Sequence, residues 1–324
     1  MFQYLSRWQN AVAVLTILVI FATSTEGFAS QPGEANTFTP ENVDGQSLLT
    51  QSSYSEARNS AGFLVRVWRG ESDNQVWLSL NFGQNFTLGD TETFVAPTVT
   101  ALGPDNFMIV HTGTDGNMYY TRIQTNANTW DGSWTRVQGG QTTNLSVSVT
   151  QFDSQQELLF MAYRGSGNDQ RVFGTWFNNN GWISTGPISN GQALSSPSIT
   201  FNPNSRRLFV AAQGLDGRIW TSSQPLFSTS WAGWTLMGSE QTATAPQIIA
   251  EPGGVMMMSY VASDGRPRYR RFDQNLNALT GWTVDTTGFQ TFNPVTLTVA
   301  GIFIYALLTG FNDQGFFKQV FSPL

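Results

Sequence analysis

Residues 207–221 read RLFVAAQGLDGRIWT, and this stretch decides the fold of the chain. Residues 208–212 form a continuous apolar run, which predicts a strand that is covered on both faces. Asp216-Gly217 supplies the positive φ angles of a tight hairpin turn, so residues 218–221 return as the next strand. A strand start at 197–201 and a further strand at 233–236 complete an antiparallel unit of four strands.

The same unit recurs along the chain, marked by an aromatic residue in its fourth strand. These aromatics are spaced by 48, 48, 48, 52 and 48 residues, at Phe38, Phe86, Trp134, Trp182, Trp234 and Trp282. The last repeat lacks a fourth strand, and Thr37-Phe38-Thr39 supplies one from the other end of the chain. Radially arranged four-stranded units that close in this way predict an all-β, six-bladed β-propeller. An open linear array is the alternative, but it would need polar capping repeats.

The N-terminus has the features of a secretory signal. Arg7 provides a basic region, residues 11–22 are apolar, and Gly27-Phe28-Ala29 offers small residues before a cleavage site. The apolar run is too short for a membrane span, although an uncleaved anchor is the alternative. We therefore expect a signal peptide at 1–29 and one propeller domain at 30–324. The mature chain is expected to be secreted and extracellular, or periplasmic in a bacterium, and to have no membrane span.

Composition excludes several classes of function. The chain has no cysteine, which rules out thiolate catalysis and cysteine-based metal centres. A net charge of −6 argues against nucleic acid as a partner, because phosphate binding needs a basic surface. No cofactor is predicted, and the sequence does not indicate an oligomeric state.

Residues 108–137, which read MIVHTGTDGNMYYTRIQTNANTWDGSWTRV, resemble the repeat of the fucose-binding propeller lectins of the PLL type. Residues 67–74 and 210–217 are similar to the same hydrophobic–Gly–x–Asp segment, and the resemblance extends over residues 36–322. It implies a propeller that binds glycans in pockets between adjacent blades. That family has seven blades, whereas this chain has six repeats. Sialidases share a six-bladed shape, but their Ser-x-Asp-x-Gly-x-x-Trp motif is not intact here.

The first candidate ligand-binding residues lie four positions after the turn aspartate of each repeat. Aromatic rings can pack the C–H face of a sugar while neighbouring polar groups bind its hydroxyls, and the alternative is that they fill the space between blades. The residues are Trp77, Tyr119, Phe173, Trp220 and Phe317, and the fifth repeat has Arg268 in this place.

The turn aspartates are the second candidates for ligand binding. We select Asp115, Asp216 and Asp264 as candidates from this group, which also includes Asp73, Asp169 and Asp313. The alternative is turn chemistry, in which each carboxylate accepts hydrogen bonds from nearby backbone N–H groups. No cluster of oxygen ligands is evident, so no metal site is predicted.

Third, Arg266, Arg268 and Arg270 alternate along a predicted strand and would share one face. Such a group could clamp a carboxylate or sulfate of an acidic glycan, and salt-bridged surface residues are the alternative. His111, the only histidine, follows a buried strand, where a structural role is favoured over catalysis.

No pair of carboxylates converges in the sequence, so no catalytic residue is predicted and an enzyme is the less favoured class. The leading hypothesis is a lectin-like protein that binds glycans or glycoconjugates through repeated weak sites. The alternatives are an extracellular glycoside hydrolase or lyase of sialidase-like shape, and a non-catalytic surface or matrix scaffold.

Overall fold

The computed structural model describes residues 38–321, apart from residues 44–45, 82, 84, 126–128, 131, 140–141, 252 and 302. The described residues form strands and turns, with no helix among them. Within this part of the chain, nothing resembles a helix long and apolar enough to cross a membrane. The predicted signal peptide, residues 1–29, lies outside the described residues, so it stays a prediction.

The strands form six antiparallel sheets and one small hairpin. The chain enters through β1 (Thr39–Pro40) and the hairpin of β2 (Asn42–Val43) and β3 (Gln46–Ser47). The first blade contains β4 (Ser55–Arg58), β5 (Leu64–Arg69), β6 (Gln75–Leu80) and β7 (Asn85–Glu92). The second contains β8 (Thr98–Ala101), β9 (Asn106–Thr112), β10 (Met118–Gln124), β11 (Thr129–Trp130) and β12 (Thr135–Arg136).

The third blade contains β13 (Ser148–Asp153), β14 (Leu158–Arg164), β15 (Arg171–Asn178) and β16 (Gly181–Gln192). The fourth contains β17 (Ser198–Asn202), β18 (Arg207–Gln213), β19 (Arg218–Pro225) and β20 (Thr235–Gln241). The fifth contains β21 (Gln247–Ala250), β22 (Met256–Val261), β23 (Pro267–Phe272) and β24 (Thr283–Val284). The sixth contains β25 (Thr296–Ala300), β26 (Phe303–Thr309) and β27 (Gly315–Phe321), and its fourth strand is β1.

The chain ends meet in the sixth blade, as the repeat pattern predicts. Thr39 pairs with Phe317 and Pro40 pairs with Phe316, which makes β1 the outer strand of the sheet that β27 ends. The first strands of adjacent blades also contact one another around the ring, including β25 with β4. These observations confirm a six-bladed propeller that is closed by its N-terminal strand.

The hydrophobic core is divided among the six interfaces between blades. In β18, Leu208 and Val210 pack against the third blade, whereas Phe209 and Ala211 pack against the fifth. Because successive side chains of a strand point to opposite faces, a strand covered on both sides must be apolar at every position. This is why the second strands read as continuous apolar runs, and why five successive residues of β18 are buried.

Hydrogen bonds join the innermost strands of neighbouring blades. The N–H of Ile199 donates to Ser148 Oγ at 3.0 Å, and the N–H of Ile248 donates to Ser198 Oγ at 3.1 Å. The central channel is lined by small and polar residues from every blade, and its cavity is only about 80 Å³. The hydroxyl groups of the first strands therefore help to hold the ring together.

Candidate functional site

The turn between the second and third strands of a blade, here called the Asp-turn, is built in a similar way in most blades. The aspartate accepts a hydrogen bond from the N–H two residues later, as in Asp216 to Arg218 at 3.0 Å. It also binds the side chain four residues later, as when Trp220 Nε1 donates to Asp216 Oδ1 at 3.1 Å. The same arrangement joins Asp73 to Trp77, Asp115 to Tyr119 and Asp264 to Arg268.

These contacts show what the candidate aspartates do within the fold. Turn chemistry is confirmed for Asp115, Asp216 and Asp264, because each carboxylate accepts a backbone hydrogen bond inside its own turn. The N–H of Arg266, together with Arg268, holds the pKa of Asp264 below its usual value. A carboxylate that is already bonded to its neighbouring ring orients that ring, and direct ligand contact by these aspartates stays a prediction.

The arginine-rich strand is largely engaged by its own surroundings. Arg266 lies just before β23, in the turn, while Arg268 and Arg270 occupy alternate positions of that strand. Arg268 Nη2 lies 3.1 Å from Asp264 Oδ2, and Arg270 Nε donates to the Thr280 carbonyl at 2.8 Å. The Arg270 guanidinium also stacks on Phe272, 5.3 Å from the ring centroid. The clamp for an acidic glycan therefore stays a prediction, on side chains that already have partners.

His111 is fully buried in the second blade. Its ring stacks on Tyr119 at 5.6 Å and meets the edge of Trp134 at 4.4 Å between centroids. Burial lowers the pKa of His111 from 6.5 to about 4, which keeps the imidazole neutral near pH 7. This packing is the structural role that the sequence favours.

A cleft of about 370 Å³ lies between the second and third blades. It lies toward the end of the blades opposite to the Asp-turns, because residues 179–181 form the turn between the third and fourth strands of the third blade. Its lining consists of Tyr120, Thr121, Arg122, Thr135, Phe177, Asn179, Asn180 and Gly181. The volume falls at the lower end of the range of about 300–1,000 Å³ for small-molecule sites.

Among the described residues, Arg122 is the only charged one that lines this cleft, and it is held in place from two sides. Its guanidinium lies over the Phe177 ring, 5.2 Å from the centroid, and 3.5 Å from Glu157 Oε2. Glu157 is itself fixed, because Asn106 Nδ2 donates to its other oxygen at 3.2 Å. Tyr120 meets Phe177 edge to face at 5.9 Å. The cleft thus combines aromatic surface with oriented hydrogen-bond donors.

A second cleft, of about 210 Å³, lies between the first blade and residues 47–49 of the N-terminal segment, toward the Asp-turn end. The candidate residue Trp77 lines it together with Trp68, and the two indoles stack at 6.3 Å with an interplanar angle of 19°. The other lining residues are Ser47, Leu48, Leu49, Gly70, Glu71, Ser72, Asp73 and Asn85. The candidates Tyr119, Trp220 and Arg268 are not among the residues that line either cleft.

Neither Arg122 nor Asn179 and Asn180 stands out in the sequence. They lie on different repeats and come together only because the third strand of one blade faces the next blade. One signal was available: Tyr120-Thr121-Arg122 follows the Asp-turn aromatic on a strand where polar and aromatic residues mix. No cluster of three or more potential metal-ligating side chains was found among the described residues.

No protein-family model and no curated protein matches the sequence. Solved structures do match over most of the ring. Aleuria aurantia lectin in complex with Fucα1-6GlcNAc matches with a TM-score of 0.65 and 10% identity, over 85% of this chain and 94% of that one. AofleA from Arthrobotrys oligospora matches with a TM-score of 0.66 and 11% identity, over 92% of this chain and 90% of that one.

A protein of unknown function from Dyadobacter fermentans matches as well, with a TM-score of 0.65 and 10% identity. That match covers 89% of this chain and all of the other one. Identities this low show a shared fold, the six-bladed β-propeller. The narrower resemblance to PLL-type lectins stays a prediction.

Proposed function

We propose that the protein is a lectin that binds carbohydrate without catalysis, in clefts between its blades. The observation that carries this proposal is the cleft between the second and third blades. There, Tyr120 and Phe177 offer ring surfaces for sugar C–H groups, and Arg122 with Asn179 and Asn180 offers donors and acceptors for hydroxyls. Support for this class of ligand also comes from solved proteins of the same fold, several of which are lectins in complex with fucosides.

The two clefts differ in composition, which changes the picture of repeated equivalent sites. One is lined by Arg122 and two asparagines, the other by Glu71, Asp73 and two tryptophans. Sites that differ in charge select different sugars or different parts of one glycan. We therefore propose a few dissimilar sites rather than six copies of one.

The test of this proposal is binding to immobilised glycans, followed by titration with methyl α-L-fucoside and methyl β-D-galactoside. Arg122→Met should weaken binding at the cleft by about tenfold or more, because a charged hydrogen bond contributes about 1.5–3 kcal/mol. Arg171→Met is the matched control, since Arg171 is an exposed, ion-paired arginine outside both clefts. Binding to no glycan at all would refute the proposal.

A glycoside hydrolase is the second candidate, because Glu71 and Asp73 line one cleft. Both oxygens of Asp73 already accept hydrogen bonds, from Gln75 N–H and from Trp77 Nε1. Hydrolysis by paired carboxylates needs two carboxyl groups that can act on the substrate. Among the described residues of this cleft, only Glu71 has a carboxylate that is not engaged by the turn. Release of 4-nitrophenol from 4-nitrophenyl glycosides, lost on Glu71→Gln, would favour the hydrolase over the lectin.

We also propose that the protein is exported, since the sequence of residues 1–29 is typical of a signal peptide. The mass of the mature protein from the native host should correspond to a chain beginning at Ser30. A full-length mass in the cell interior would contradict export.

A further inference from the structure

Three blades carry a tryptophan at the same position of the outer strand. The Asp-turn residues Tyr119, Trp220 and Arg268 pair with Arg136, Leu236 and Val284. Two positions before these partners lie Trp134, Trp234 and Trp282, respectively. In the first blade Trp77 pairs with Thr87, so the corresponding residue is Asn85. The first blade therefore has a short amide where three others have an indole.

The indoles fill the space between their own blade and the preceding one. Trp134 Nε1 donates to the Leu88 carbonyl of the first blade, and Trp234 Nε1 donates to the Ile188 carbonyl of the third, each at 2.9 Å. Trp134 also makes an edge-to-face contact with His111, on the second strand of the same blade. Trp282 contacts Tyr260 in the same way, at 4.7 Å between ring centroids. An indole at this position thus covers the ring beneath it and seals the cleft.

In the first blade that indole is missing, and Leu48 of the N-terminal segment packs with Trp68 instead. Trp68 is the counterpart of His111 and Tyr260, because it pairs with Trp77 as they pair with Tyr119 and Arg268. The cleft of about 210 Å³ lies beside Trp68, Trp77 and Asn85. Asn85 Oδ1 is buried there and has no hydrogen-bond partner among the described residues. An unsatisfied buried acceptor destabilises the protein, and a hydrogen bond from a ligand hydroxyl would remove that penalty.

We propose that this cleft, between the first blade and residues 47–49, is a separate binding site for a neutral sugar. The proposal rests on the proposed function for its class of ligand, but on different residues. The indole of Trp77 would pack against the C–H face of the sugar ring, and Asn85 Oδ1 with Glu71 would accept hydrogen bonds from its hydroxyls. Asp73, bonded to Trp77 Nε1 at 3.0 Å, is a positioning residue for the indole.

The charge and shape of the cleft narrow the class of ligand. Glu71 and Asp73 line it and none of its lining residues is basic, so acidic sugars are repelled. A quaternary ammonium group is held best by aromatic faces on several sides. Here the two indoles stack nearly parallel, at 19°, and because Trp68 is buried, Trp77 alone can offer a flat wall. A flat wall with acceptors at its edge suits a neutral pyranose.

The experiment uses the full chain from a bacterial host, so that the sequon Asn85-Phe86-Thr87 stays unmodified. Methyl α-L-fucoside, methyl β-D-galactoside and N-acetylneuraminic acid are titrated into an Arg122→Met background, in which the other cleft is weakened. Asn85→Trp, which restores the indole of the other blades, should reduce the remaining binding of neutral sugars at least tenfold. Phe86→Trp is the matched control, since Phe86 is the adjacent residue on the opposite face of β7 and is 36% exposed.

Asn85→Leu serves as a second variant if Asn85→Trp does not fold, with the thermal transition as the check on folding. If Asn85→Trp does not change sugar binding in the Arg122→Met background, this site is refuted while the proposed function stands. Tighter binding of N-acetylneuraminic acid than of the neutral sugars would overturn the class of ligand. If the unmodified protein binds no sugar, the proposed function and this site fail together.

Discussion

The carboxylate of Glu41 forms a buried ion pair with the guanidinium of Arg66. Glu41 belongs to the N-terminal segment that closes the ring, and Arg66 belongs to the first blade, so the pair joins the two across the closure. Arg66 Nε also donates to Glu56 Oε2 at 2.7 Å. One guanidinium thus serves two carboxylates, and all three side chains are buried. Burial raises the pKa of Glu41 from 4.5 to about 7, because Arg66 opposes this effect only in part.

This pair predicts a stability that decreases with rising pH. Between pH 4.5 and about 7 the folded protein keeps a proton on Glu41 that the unfolded chain releases, so the free energy of unfolding declines as pH rises. The slope from one group is at most about 1.4 kcal/mol per pH unit. Glu41→Gln should remove this contribution in urea unfolding between pH 5 and 8. Parallel curves for the variant and the parent would contradict it.

His111 predicts a dependence of the opposite sign at lower pH. The pKa of His111 is about 4 in the folded protein and 6.5 in the unfolded chain. Between these values the unfolded chain binds a proton that the folded protein does not. Stability is therefore present above pH 6.5 and is lost as pH falls toward 4. His111→Phe should flatten this acid limb in the same unfolding series. An acid limb as steep in the variant as in the parent would show that other groups produce it.

Removal of the closing strand should destabilise the whole ring. Deletion of residues 30–45 takes away β1, which pairs with Phe316 and Phe317, and also takes away Glu41. We expect the thermal transition to fall by more than 10 °C, because a loss of about 1 kcal/mol already shifts a protein of this size by about 2–4 °C. Deletion of residues 30–37 alone, which leaves β1 intact, is the control. Equal transitions for both deletions would count against closure by this strand.

Gly191 shows how closely an outer tryptophan packs on the preceding blade. A methyl group at this position would overlap the indole of Trp234, so Gly191→Ala forces the ring or the strand to move. We expect a loss of about 1–3 kcal/mol in the free energy of unfolding, as for other overpacked sites. Gly233→Ala, where a methyl group meets nothing within 4 Å, should cost less than half as much. A neutral Gly191→Ala would show that the indole is loosely held.

The sequence predicts the blades and their closure well, because both follow from local patterns. A turn at Asp216-Gly217 and an apolar run before it identify the hairpin without knowledge of any partner. That the N-terminal strand pairs with the last strand follows from counting strands, whereas the register of Thr39 with Phe317 does not. Repeats of this kind reveal which strands exist and in what order.

Register was harder to predict than the repeat. The aromatic spacing treats Phe86 as the equivalent of Trp134, whereas the pairing of strands shows that Asn85 is its equivalent. An offset of one residue moves a side chain to the other face of the strand, so Phe86 points away from the cleft that Asn85 leaves open. Spacing that varies by a few residues cannot resolve such an offset. The cleft around Arg122 was missed because its residues come from two blades.

Because the first described strand and the last share one sheet, mechanical load reaches that sheet before any other. Tension between the two termini is borne by the backbone hydrogen bonds that join Thr39 and Pro40 to Phe317 and Phe316. Only after they break would the remaining blades peel away in turn. If the protein is anchored through a terminus while its clefts bind a surface, the short β1–β27 pair would therefore separate first. The strength of this pair would limit how long the protein resists shear.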